Sequence, residues 1–414
     1  MKKFFFSAVA AIAIMFSSCS NDDVTNPEGN TGSIRFAVDF EEATEATTVT
    51  KAAASSTAIP ITSWNNVDKI RMFLYNPTDG TIAYSYEVDP AAKADKVFNF
   101  LDIPSGTYNL ALVANIKSST NNVSTSVDNW ATLAELGDYT VRTKKINTDV
   151  VMDLKKISAF PAGHVVPVAR LPYAPASEVF VAYQTGVVIT TGGTNDLTAT
   201  PLLLKREVSL MRVRINKKAD FLNEAGKLVD FANATNLIAV QTIPVGFGVK
   251  LGSFAGGINA TPSDANRVIV GANGVSTFKT ADPLPATHTN PVVIDADFTL
   301  WQEVLVLPNA TKAEGKLASA DASQARKFTI IVSAQAPAGY KLDNGTTLAT
   351  SKPIYWSGII NEVFLENNIR EVNLTIKSRG TDVWPEIKEV GGLDIKVSAP
   401  EDWNSTIQRT DKEI

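Results

Sequence analysis

Thr31-Gly32-Ser33-Ile34-Arg35-Phe36-Ala37-Val38-Asp39-Phe40 is the stretch on which the fold class turns. Ile34, Phe36, Val38 and Phe40 alternate with Arg35, Ala37 and Asp39. A period of two sends alternate side chains to opposite faces of an extended chain, so one face of this segment is apolar. Such a strand needs a second layer over that face and neighbours for its backbone N–H and C=O groups.

The same signature recurs downstream. Lys69 to Asn76 and Thr81 to Val88 flank the turn Pro77-Thr78-Asp79-Gly80. Val97, Phe98 and Phe100 lead into Pro104-Ser105-Gly106, and Thr107 to Asn115 continues beyond that turn. Val150 to Leu154 and Glu178 to Ile189 are further expected strands, the latter ended by Gly192-Gly193. One strand is expected from Leu204 to Asn216, with Met211, Val213 and Ile215 alternating with Arg212 and Arg214. Leu237 to Val245, Arg267 to Val270, Leu300 to Leu307 and Lys327 to Ala334 follow, then an Asp343-Asn344-Gly345 turn. Near the end, Glu371 to Lys377 carries Val372, Leu374 and Ile376. Leu393, Ile395, Val397 and Ala399 then alternate with Asp394, Lys396 and Ser398. Only Trp130 to Leu136 reads as a short helix, capped by Asp128 or Asn129. Short strands with frequent turn signals define an all-β chain of sandwich type.

Upstream of the opening strand lies an export signal. Lys2 and Lys3 precede an apolar run from Phe4 to Phe16, which falls short of the ~20 residues a bilayer span requires. Ser17 and Ser18 are small, and Cys19 is the one cysteine of the chain. This junction resembles a lipobox, in which the cysteine becomes the lipidated first residue after cleavage. Ser20 to Gly32 then reads as a polar tether. The mature body has no cysteine pair, so packing and strand pairing alone must hold it.

Composition narrows the function classes. The 414 residues are 44% hydrophobic and 20% charged, enough apolar side chain for real cores. A net charge of −5 argues against nucleic acid, which needs a basic face. The two histidines, His164 and His288, are far apart and are expected at the surface, so neither a zinc site nor a nucleophile triad can be assembled from them. No metal site, cofactor motif or catalytic set is expected. Gly252-Ser253-Phe254-Ala255-Gly256-Gly257 lacks the second glycine of a dinucleotide loop and is followed by no helix pattern. Glu401-Asp402 beside Trp403 could mimic a sugar site, but a tail strand ending in an aromatic anchor explains them as well. Trp64, Trp130, Trp301, Trp356, Trp384 and Trp403 are scattered, and most sit beside strand or helix patterns where core packing is the expected role.

One arrangement suggests a role. Glu41 to Thr57 has no apolar periodicity and carries Lys51 within Thr48-Val49-Thr50-Lys51-Ala52-Ala53-Ala54, so it reads as an exposed, protease-accessible loop. A cut at Lys51 would free the first strand, leaving an apolar groove with unpaired backbone groups. Such a groove is a template for a strand from another chain. The C-terminal strand is the natural donor, because its alternation matches.

On these residues the chain resembles the Bacteroidales fimbrillins, the major fimbrial (type V pilus) subunits. The resemblance starts at Phe16-Ser17-Ser18-Cys19, and Thr31 to Phe40 looks like the family's first strand. Lys51-Ala52 falls where the family is processed. It continues through Val67 to Asn76, Pro104 to Tyr108, Val113-Ala114-Asn115, and Leu133 to Leu136 as the short helix. Lys205-Arg206, Asn367-Asn368 through Ile376, and Leu393 to Trp403 complete it.

The resemblance implies two tandem transthyretin-like β-sandwich domains, residues 52–204 and 205–414. Residues 1–18 are then a lipoprotein signal peptide. Residues 19–51 form a propeptide with lipidated Cys19 and a removable strand bearing Ile34, Phe36, Val38 and Phe40. Cleavage between Lys51 and Ala52 by a trypsin-like protease follows. Residues 393–403 are the candidate donor strand, with Leu393, Ile395, Val397, Ala399 and Trp403 facing the groove. The implied protein is a shaft pilin that starts as an outer-membrane lipoprotein precursor and ends in a cell-surface fimbria supporting adhesion. Its partners are other copies of itself, other fimbrial subunits, the protease, and the outer membrane through the lipid. The family's usual processing site is arginine, whereas this chain has Lys51, and Arg35 lies inside a strand that should protect it. The alternatives are a tip or anchor subunit, or a surface glycan-binding lipoprotein.

Overall fold

The computed structural model describes residues 30–40, 67, 70–88, 90, 93–114, 144–148, 151–154, 156–176, 179–216, 219–231, 233, 235–241, 246–249, 254–255, 266–271, 298–308, 328–360, 362, 364–386, 391–397 and 401–402. Lys51, Ala52, Cys19, the expected helix at 130–136, His288, Ala399 and Trp403 lie outside them.

Strands are the dominant regular element of the described residues. The first half contains β1 (Thr31–Phe40), β2 (Ile70–Tyr75), β3 (Ile82–Val88), β4 (Val97–Pro104), β5 (Gly106–Ala114), β6 (Val151–Asp153), β7 (Leu171–Tyr173), β8 (Phe180–Ile189) and β9 (Thr194–Arg206). The second half contains β10 (Ser209–Asn216), β11 (Ile238–Gln241), β12 (Gly246–Val249), β13 (Phe254–Ala255), β14 (Arg267–Val270), β15 (Phe298–Val306), β16 (Phe328–Ala336), β17 (Lys352–Ile360), β18 (Asn368–Ile376), β19 (Leu393–Val397) and β20 (Glu401–Asp402).

Seven strands of the first half pair in the order β3-β2-β5-β8-β9-β1-β4. β8 and β9 pair only at Phe180–Arg206 and Val181–Lys205, so the sheet folds there into two layers. Ile34 and Phe36 of β1, Met72 and Leu74 of β2, and Leu110 and Leu112 of β5 share the resulting core. The two end strands meet across it, with Tyr84 and Tyr86 of β3 standing edge-on to Phe100 at 6.1 and 5.3 Å.

The second half builds two five-stranded sheets, β15-β10-β18-β19 with β20 also on β18, and β17-β16-β11-β14-β7, to which the first half contributes β7; β12 and β13 join β6 in a small third sheet. Met211, Val213, Ile330, Val332, Trp356, Val372 and Leu374 lie in the core they share. That core continues onto Phe73, Tyr75, Ala111, Val113 and Val181 of the first half. The β2-β5-β8 layer is thus covered on both faces. This explains why Ile70-Arg71-Met72-Phe73-Leu74-Tyr75 reads as a near-continuous apolar run and is buried throughout.

One expected strand is corrected here. Leu204 to Asn216 is not one strand: Glu207 and Val208 separate β9 from β10, and Glu207 N–H donates to the carbonyl of Val179 at 2.8 Å. The chain changes partners at that break, from β1 to β15 and β18. β9 itself begins at Thr194, ten residues earlier than the sequence suggested, and β7 and β17 carried no expectation. The division implied at 204/205 falls within β9.

His164 also departs from expectation: it is half-buried, with both ring nitrogens hydrogen-bonded, rather than free at the surface. Its segment covers the outer face of the β17-β16-β11-β14-β7 sheet, where Ile157, Phe160 and Val166 pack on Leu237, Ala239, Val268, Val270, Ile331, Tyr355 and Trp384. Nε2 lies 2.7 Å from the carbonyl of Thr235 and must carry the proton, so Nδ1 accepts from the Tyr355 hydroxyl at 2.9 Å. Desolvation by burial holds the imidazole below its ordinary value of 6.5, opposed by the hydrogen bond to Thr235. A folded value below the unfolded one means that the unfolded chain binds the extra proton. Stability is therefore full above about pH 6.5 and declines as the pH falls below it. Thermal unfolding between pH 7.5 and 5.5 should show this decline, and His164→Gln should flatten it. An unchanged slope in that variant would assign the decline to other groups.

Candidate functional site: the first strand and its groove

β1 is not an edge strand. It runs antiparallel to β4, from Thr31–Pro104 to Ala37–Val97, and parallel to β9, from Ser33–Thr194 to Phe40–Leu204. Both sides of its backbone are therefore engaged in ladders. Ile34, Phe36, Val38 and Phe40 are buried, at 0%, 1%, 3% and 9% exposure. Phe36 lies between Phe98 and Phe100, with ring centroids 5.9 and 5.7 Å away, and Phe40 meets Phe180 edge-on at 5.4 Å. Taking β1 out would uncover these four sites together with the facing backbones of β4 and β9.

Three features fix the register of β1. At Gly32 a Cβ atom would stand 2.2 Å from the Thr190 carbonyl, 2.9 Å from the Gly193 carbonyl and 2.9 Å from Ile189 Cγ2, so only glycine fits there. Ser33 N–H donates to the Gly193 carbonyl at 2.9 Å, and the Ser33 and Thr194 hydroxyls meet at 2.6 Å. On the outer face Arg35 pairs with Asp196 at 3.2 Å, both about half exposed. Thr198 donates to Asp196 from its N–H at 2.9 Å and its hydroxyl at 2.6 Å, and these bonds, with Arg35, hold the Asp196 carboxylate below the ordinary range.

Arg35 presents its side chain to solvent but has its peptide bonds in ladders on both sides. A protease needs a freely extended segment in its cleft, so this bond is shielded in the folded protein. β1 connects to β2 through residues 41–69, which include Lys51.

The candidate donor lies on its own body. β19 pairs antiparallel with β18, from Val372–Val397 to Ile376–Leu393. It forms the end of its sheet, and only Leu393 is buried. Ile395 and Val397 are partly exposed, and Asp394 and Lys396 face solvent. The sequence identified β1 and β19 by alternation but did not find the β9 wall or Asp196. Leu202 and Leu204, alternating with Leu203 and Lys205, were the available signal, interrupted by Pro201.

Among the described residues no group of three or more His, Cys, Asp or Glu side chains could hold a metal ion, and no helix is long and apolar enough to cross a membrane. A cleft of about 700 Å³ opens where β8 and β9 part, lined by Ala182, Tyr183, Leu197, Leu202, Lys205 and Glu207. Trp356 and Trp384 are buried in cores and form no exposed platform.

Fold and site together define an all-β protein whose N-terminal strand is seated inside a sheet. No family model and no curated protein matches the chain. Similar solved structures include a protein proposed to serve cell adhesion from Bacteroides eggerthii, at 12% identity and a TM-score of 0.45, covering 91% of this chain and 97% of that one. A fimbrilin, FimA, from Porphyromonas gingivalis is similar at 14% identity and 0.37, covering 89% and 97%. The tip fimbrial protein Mfa3 of the same organism is similar at 12% and 0.37, covering 90% and 100%.

Proposed function

We propose that the chain is a structural subunit of a cell-surface fimbria, of the shaft type. It is exported as a lipoprotein lipidated on Cys19, is cut after Lys51 by a trypsin-like protease, and polymerises when β19 of another copy replaces β1. It acts in adhesion and carries out no catalysis. Residues 52–204 and 205–414 are its two sandwich domains in this reading.

The observation that carries the proposal is the seat of β1. It is an interior strand with four buried side chains, yet it is tied to the rest of the fold through the segment that holds Lys51. Burying those four side chains contributes roughly 6–12 kcal/mol at ~1.5–3 kcal/mol each, an upper figure for a real unfolded reference. While β1 is covalently tethered its effective concentration holds it in place; after a cut it becomes a dissociable ligand. β19 has an edge position and one buried side chain, so moving it into a two-sided ladder gains burial and backbone pairing. Cleavage sets the direction of exchange.

Trypsin treatment of the residue 20–414 protein tests this. N-terminal sequencing should find Ala52 as the new first residue, with no cut after Arg35, and SDS-resistant ladders should appear. Lys51→Ala should leave a monomer under the same treatment; normal polymer from that variant would sink the proposal.

A further inference from the structure

The groove left by β1 has a marker for register. At its Thr31 end, the site of Gly32 admits no Cβ, and two positions later the apolar sites begin at Ile34. The C-terminal segment has the same spacing: Gly391 lies two residues before Leu393. We propose that β19 of a second copy enters the groove in the direction and register of β1, with Gly391 at the site of Gly32. Leu393, Ile395 and Val397 then take the sites of Ile34, Phe36 and Val38. This rests on the reading that β19 is the donor strand.

The alternatives that also keep the apolar set inward fail at the tight site. Sliding the segment by two residues one way puts Leu393 on Gly32 and the carboxylate of Glu401 on the buried Phe40 site. Sliding it the other way puts Glu389 on Gly32 and leaves Gly391 in the Ile34 site, which is 0% exposed. Reversing it puts Glu401 on Gly32 and Pro400, which has no N–H, on the rung of Ser33. Reversing it with a two-residue slide puts Ala399 on Gly32. Only the direct placement has glycine where the Thr190 carbonyl leaves 2.2 Å.

The placement has a consequence on the outer face. β1 sets Arg35 against Asp196 at 3.2 Å, and β19 sets Asp394 there. Like charges directly opposite in a sheet are unfavourable, whereas opposite charges attract. Asp196 therefore favours the chain's own strand over the incoming one, and it biases an uncut subunit against premature exchange.

Disulfide trapping in trypsin-treated residue 20–414 protein tests the register, since Cys19 is absent from that form. The pair Leu203→Cys with Ser398→Cys should link neighbouring copies, because Ser398 takes the rung of Asp39, opposite Leu203. The pair Leu203→Cys with Asp394→Cys should not link, because only a reversed strand brings those positions together. In parallel, Asp394→Lys should speed assembly about threefold to fivefold by facing Asp196 with an opposite charge. Polymer linked through Asp394→Cys, polymer linked through neither pair, or Asp394→Lys assembling no faster than the parent would each overturn the proposal. Absence of polymer from the unsubstituted protein would instead remove the donor-strand reading, and this inference with it.

Discussion

Phe36→Ala lowers the stability of the fold around β1 by about 3–5 kcal/mol in urea denaturation of the residue 20–414 protein. The side chain is 1% exposed and sits between Phe98 and Phe100 at 5.9 and 5.7 Å, so its removal opens a cavity that two rigid rings cannot close. Arg35→Ala, one residue away on the outer face, should cost less than about 1 kcal/mol, because its ion pair with Asp196 is half exposed and screened. The contrast separates burial from charge within a single strand. A small loss from Phe36→Ala would mean that β1 spends much of its time out of the groove before any cut. That outcome would bear on function, since exchange would then need no protease.

The second large effect belongs to the β10–β18 interface. Arg214 and Glu371 pair at 2.8 Å with side chains 2% and 3% exposed. Glu371→Ala should cost about 3–5 kcal/mol, because it takes the carboxylate away from a guanidinium that water does not reach. Replacing both, Arg214→Met with Glu371→Leu, should recover most of that loss, because neither charge is left buried without its partner. Thermal unfolding of the two single variants and the double variant gives the coupling directly. A double variant as unstable as the sum of the singles would show that the pair acts through its other neighbours rather than through each other.

These two sites also show where sequence reasoning reaches and where it stops. In β1, alternation separates Ile34, Phe36, Val38 and Phe40 from Arg35 and Asp39, and burial in the fold follows that division. In β10 the same alternation separates Met211, Val213 and Ile215 from Arg212 and Arg214, yet both sets are buried. Periodicity reports which residues share a face; it does not report whether the second face is covered. Covering a charged face requires a counter-charge from a distant strand, here Glu371 on β18, and nothing local to β10 encodes it.

The sequence by itself determined that the chain is all-β, that strands lie at its opening and near its end, and that Lys51 lies between the first strand and the next. Local alternation, turn residues and glycine spacing are short-range properties, written within a few residues of where they act. The tertiary structure alone decided that β1 is an interior strand between β4 and β9, that His164 is half-buried with both ring nitrogens engaged, and that Gly32 has room for no side chain. Each of these depends on groups far apart along the chain, brought together only when the sheets close over their cores.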